Sequence, residues 1–68
     1  MKSNPRPDGS KIRDLRWERR LPTRELASKA GITPQYLNRI MCGTRGASLR
    51  VQKALAAALS VPVEEIQK

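Results

Sequence analysis

The side chains best suited to chemistry stand close together near the middle of the chain. At about 100° per residue, Gln35, Asn38 and Arg39 gather with Cys42 on one side of a helix, roughly opposite Thr33, Leu37, Ile40 and Met41. A polar face with a single positive charge suits the reading of base edges. Arginine can donate a bidentate pair to guanine O6 and N7, and glutamine or asparagine can pair with adenine N6 and N7. The same inventory counts against catalysis. With no histidine in 68 residues, the chain lacks the ordinary neutral-pH acid-base group and any Ser-His or Cys-His nucleophile pair. Cys42 is the only cysteine, so an intramolecular disulfide is excluded and a zinc site has no ligand set. No P-loop, GxGxxG run or contrasted carboxylate pair is present. The expectation is no enzyme, no metal, no cofactor and no small-molecule ligand.

The charge points to a polyanion. The chain carries 14 Lys and Arg against 6 Asp and Glu, for +8. Residues 1–53 hold 13 of the bases and 4 of the acids, whereas residues 54–68 are nearly neutral. A basic body with a neutral tail fits docking on one side, and nucleic acid is the commonest such partner, because neutralised phosphates release condensed counterions. The longest apolar run, Ala54 to Leu59, is too short to span a bilayer or to form a signal-peptide core. No membrane association is expected, and the location expected is the cytoplasm, on the nucleoid or in the host cell if the chain is phage-encoded.

The elements that must position these residues are helices. Residues 1–8, with two prolines and no apolar period, read as a flexible basic arm carrying Lys2 and Arg6. Gly9 to Arg20 reads as a first helix, capped by Asp8 or Ser10, with Ile12 and Leu15 buried and Leu21-Pro22 ending it. Thr23 to Ala30 makes a second, with Leu26, Ala27 and Ala30 as its apolar face. Gly31-Ile32-Thr33 is a tight connector, Thr33 caps the third helix and Pro34 suits its first position. That helix stops at Gly43. Thr44 to Ala47 is a loop, Ser48 caps a fourth helix over Leu49 to Leu59, and residues 61–67 can add a short fifth around Val63 and Ile66. The fold expected is all-α, a compact bundle of about five short helices, with residues 9–67 as one domain.

Leu15-Arg16, Leu21, Glu25-Leu26-Ala27, Lys29-Ala30-Gly31-Ile32-Thr33, Leu37, Ile40 and Gly43 resemble the phage repressor and Cro type of helix-turn-helix family (XRE-like). Its usual run is L-R-x-x-x-G-L-S-Q-x-E-L-A-x-x-x-G-[VI]-[ST]-x-x-x-[IL]-x-x-[IL]-E-x-G. The resemblance spans about residues 9–66. It implies a lambda-repressor-like DNA-binding domain and a sequence-specific transcriptional regulator whose helix 33–42 enters the major groove of an operator. Carried over by position, the base readers are Pro34, Gln35 and Arg39, and Asn38 joins them from its place on the same face. Pro34 offers only apolar contact. Three departures bear on this. Pro22 replaces the family's capping serine, Thr23 replaces its glutamine, and Met41 replaces the glutamate that would pair with Arg16. Arg16 is then solvated, bonded to carbonyls or recruited to phosphate.

Phosphate contacts need cations and helix N-termini beside the reading helix. Thr23 and Arg24 open the second helix, and Thr44, Arg45, Ser48 and Arg50 surround the start of the fourth. Tyr36 either offers its hydroxyl to a phosphate or sits as a half-exposed core residue. Trp17 points away from Ile12 and Leu15, toward the proline-rich arm or toward a partner. The partner expected is double-stranded DNA. A homodimer is a further expectation, because one domain offers few base contacts and Leu59, Val61, Val63 and Ile66 form an apolar edge, unless these residues only close the core. Two rival roles are an architectural or excision factor, which commonly adds a β wing, and an antitoxin-type regulator with a protein partner. RNA binding is weaker, since stacking aromatics are nearly absent.

Overall fold

The chain begins its first helix against its own C-terminus. In the computed structural model, which describes residues 6–68, the Asp8 amide donates to the Ile66 carbonyl at 2.7 Å and the Lys68 amide to the Arg6 carbonyl at 3.0 Å. Buried Pro7 forms an isolated antiparallel bridge with Gln67 between them. Residues 6–8 are therefore pinned by backbone pairing rather than belonging to a free arm. The rest of the expected arm, 1–5, lies outside the described residues.

Four α-helices follow, α1 (Gly9–Glu18), α2 (Thr23–Ala30), α3 (Pro34–Cys42) and α4 (Leu49–Leu59), and then a single 3-10 turn, Val63–Ile66. Local chemistry sets most boundaries. Asp8 Oδ1 accepts from the Ser10 and Lys11 amides at 3.0 and 3.3 Å, satisfying N–H groups that have no partner inside the helix. Thr33 Oγ1 accepts from the Tyr36 amide at 3.1 Å, and Ser48 Oγ from the Val51 amide at 3.3 Å. Gly31 and Gly43 end α2 and α3 with φ of 74° and 79°, a conformation glycine adopts without a Cβ penalty.

Two expectations are corrected. α1 stops at Glu18 rather than Arg20, because Arg19 leaves helical geometry and Arg20 takes φ 53° to turn the chain into Leu21-Pro22. The fifth helix is one 3-10 turn, since Pro62 bounds it before and extended Gln67 after. Among the described residues there are no strand pairs beyond the Pro7–Gln67 bridge.

The core joins all four helices and the last turn. Ile12, Leu26, Ala27, Leu37, Leu55, Leu59 and Ile66 are fully buried, with Ile40, Ala56 and Met41 nearly so. α2 packs on α3 and α4, α1 packs on α3, and the 3-10 turn packs on α4 and α1. Leu59 and Ile66 thus belong to the core, and Val61 and Val63 are half-buried against it. Half of the expected apolar edge therefore closes the domain's own core. No described helix is long and apolar enough to cross a membrane.

Candidate nucleic-acid interface

α3 has one face anchored and one face free. Leu37, Ile40 and Met41 fix it to the core, while Pro34, Gln35, Asn38 and Arg39 are all exposed, as the period of 3.6 residues requires. Thr33 starts the helix and Gly43 ends it, so the reading face is two and a half turns long. Its cap leaves Pro34 at the first helical position, where the missing N–H removes nothing.

Beside this face runs the loop 44–48, and each of its residues is tied down. The Thr44 amide and hydroxyl both donate to the Arg39 carbonyl, at 3.0 and 3.2 Å. The Arg45 guanidinium lies over the Tyr36 ring, 5.3 Å from its centroid. Tyr36 Oη donates to the Gly46 carbonyl at 3.4 Å, Gln52 Nε2 to the Ala47 carbonyl at 2.8 Å, and Ser48 caps α4. The result is a shallow cleft of about 280 Å³ lined by Thr33, Gln35, Tyr36, Arg39 and Arg45. Two of the expected base readers, Gln35 and Arg39, and two of the expected phosphate residues, Tyr36 and Arg45, therefore share one concavity. Asn38 and Pro34 stay on the exposed face of α3 outside it.

The remaining phosphate candidates flank the cleft at helix starts. Thr23 is half-buried and Arg24 exposed at the N-terminus of α2, where Pro22 gives no side-chain cap, so its first amides keep free hydrogen-bonding capacity. Arg50 is exposed in the first turn of α4. Ser48 accepts from Val51 and retains its own O–H for an outside acceptor. Among the described residues the ion pair found is Glu18–Arg19 at 3.7 Å, so Arg24, Arg39, Arg45 and Arg50 carry charges with no carboxylate partner.

Tyr36 and Thr44, expected at phosphates, also act on the loop. Their hydroxyls each lie within hydrogen-bond distance of a backbone carbonyl inside the domain, Gly46 and Arg39 respectively. Both tie the loop to α3. Tyr36 is half-buried and packs on the core. Arg16 takes the carbonyl alternative, with Nη1 donating to Leu21 at 3.0 Å, and Met41 is buried in the core. Trp17 is 76% exposed in a groove with Arg16, Glu18, Arg20, Leu21 and Pro22, away from the Pro7–Gln67 pairing. Cys42 is a free, exposed thiol at the end of α3. No group of three or more potential metal-ligand side chains stands together among the described residues.

Sequence reasoning missed Gln52 and Arg20. Nothing local marks a glutamine in α4 as buried. Arg20 had a signal, since the family run quoted above has glycine at that place and the positive φ explains why.

The comparisons agree with this geometry. The sequence profile of the helix-turn-helix domain matches residues 9–68. Among solved structures, the restriction-modification controller protein C.AhdI from Aeromonas hydrophila is 32% identical, with a TM-score of 0.82 over 84% of this chain and 86% of that one. The master regulator for biofilm formation SinR, solved in complex with DNA, is 32% identical, with a TM-score of 0.78 over 82% and 90%. The clp gene regulator ClgR from Corynebacterium glutamicum is 27% identical, with a TM-score of 0.80 over 82% of this chain and 60% of that one. No curated protein is a sequence match. The chain belongs to the helix-turn-helix family, in its phage repressor and Cro (XRE) type, a class of DNA-binding transcriptional regulators.

Proposed function

We propose that the chain occupies an operator by laying α3 in the major groove, with Gln35, Asn38 and Arg39 on base edges and Pro34 against a thymine methyl. Arg24, Arg45 and Arg50, with Thr23 and the Ser48 hydroxyl, anchor the flanking phosphates. The observation that carries this reading is the exposed Gln35, Asn38 and Arg39 face on a helix whose opposite side is locked in the core, next to the unpaired cation Arg45. Phosphate contacts position such a helix and base contacts give it sequence preference.

Three or four base readers specify a short half-site, so two copies on adjoining half-sites are part of the proposal. Leu59 and Ile66 are committed to the core, while Val61 and Val63 are only half-buried and keep surface for a contact between the copies. The role is regulatory and non-enzymatic, and it is exercised in the cytoplasm, on the nucleoid or in the host cell if the chain is phage-encoded. Selection of bound duplexes from a random pool tests the reading. A recovered site with a defined core, and with dyad symmetry if two copies bind, is expected. A pool that stays random after selection overturns it.

A further inference from the structure

The one buried polar side chain of the described core, Gln52, has 0% exposure and lies in the first half of α4 among apolar neighbours. A buried amide is retained only where its hydrogen-bonding groups are met. Its Nε2 donates to the Ala47 carbonyl at 2.8 Å, and its Oε1 accepts from Gln67 Nε2 at 2.9 Å. Gln67 in turn is the residue that bridges Pro7. Gln52 thus links the clasp formed by residues 6–8 and 66–68 to the loop that carries Arg45.

We infer that Gln52 is a positioning residue for DNA binding, holding loop 44–48 in the form that presents Arg45 to phosphate. It touches no DNA itself. The loop needs such a device because its sequence, Thr-Arg-Gly-Ala-Ser, has almost nothing to bury, and glycine at 46 leaves the backbone free. Tyr36 holds the Gly46 carbonyl from α3, and Gln52 holds the adjacent Ala47 carbonyl from α4. Two successive carbonyls tethered from two helices fix the chain just after Arg45, and the Thr44 bonds to the Arg39 carbonyl fix it just before. Order imposed before binding does not have to be imposed during it. Burial alone favours an apolar side chain at position 52, and the amide is kept there by the partners it meets on the loop and on Gln67.

This inference rests on the DNA-binding reading, and the experiment separates the two. In the free protein, backbone amide order parameters for residues 45–48 are measured in the wild type, Gln52→Leu and Gln67→Ala. Wild-type values near those of the helices, about 0.85, are expected, with a fall toward about 0.6 in Gln52→Leu and a smaller fall in Gln67→Ala. Affinity for the selected duplex, or for any duplex if none is selected, is then measured across salt. Gln52→Leu is expected to bind roughly three- to tenfold more weakly, with a salt slope shallower by about one. Combined with Arg45→Ala it is expected to add no further loss. If Gln52→Leu does not fold, Gln67→Ala carries the same tests with a smaller effect. An ordered loop in both variants, or losses that simply add to that of Arg45→Ala, overturn the inference. Loss of loop order in a protein that binds no DNA even as wild type overturns the proposed function and leaves the tether standing.

Discussion

The Arg45 guanidinium carbon lies 5.3 Å from the centroid of the Tyr36 ring, so a loop cation is held over a side chain of the helix that presents Gln35 and Arg39. A cation stacked on a ring face gains from the ring quadrupole while its charge stays available outward. Arg45→Ala is expected to weaken binding to all duplexes by about the same factor and to reduce the salt slope by about one. Tyr36→Ala is expected to give a smaller loss of the same kind, because the cation remains but its stacking partner and the Gly46 tether go. Fluorescence anisotropy at several salt concentrations checks both.

Gly9 is where α1 meets the end of α3. A Cβ built there would stand 2.4 Å from the Met41 carbonyl oxygen and 2.6 Å from that of Ile40. These are backbone atoms and cannot rotate aside. Gly9→Ala is expected to destabilise the domain by roughly 1–3 kcal/mol, as overpacking does. Thermal unfolding measures it, and a melting temperature equal to the wild type contradicts the close approach.

Arg20 is non-glycine at φ 53°, a region that costs a bulky residue energy. Arg20→Gly is expected to raise stability by about 1 kcal/mol, the relieved strain outweighing the added freedom of the unfolded chain. Urea denaturation checks the sign, a higher midpoint at unchanged m-value reading as a gain in stability and a lower midpoint contradicting it.

Ser48→Ala removes the acceptor for the Val51 amide and is expected to cost about 1 kcal/mol of stability. The same substitution removes a hydroxyl donor at the flank of the cleft. Duplex affinity is expected to fall modestly, with base preference unchanged, as competition between selected and scrambled duplexes would show.

The parts of this molecule that could be read from the sequence are those whose cause is local. Thr33-Pro34, Ser48, Gly31 and Gly43 set caps through their own backbone and hydroxyl chemistry, so α2, α3 and α4 fall where those residues place them. The exposed set Gln35, Asn38 and Arg39 follows from helical period alone. What escaped depends on contacts between distant segments. Pro7 meets Gln67 across the whole chain, Gln52 reaches back to Ala47 and forward to Gln67, and Gly9 lies against α3. The Tyr36 and Thr44 hydroxyls also lie close to the Gly46 and Arg39 carbonyls, a closeness that no local residue pattern marks.

Arg39 tests the central claim most directly, because it is the one charged side chain on the base-reading face of α3. Affinities of the wild type and Arg39→Ala for the selected duplex and for a scrambled one are compared at fixed salt. The account predicts that the wild type discriminates between them and that Arg39→Ala loses about 1–3 kcal/mol on the selected duplex and little on the scrambled one. Equal wild-type affinity for both duplexes, left unchanged by Arg39→Ala, would contradict it.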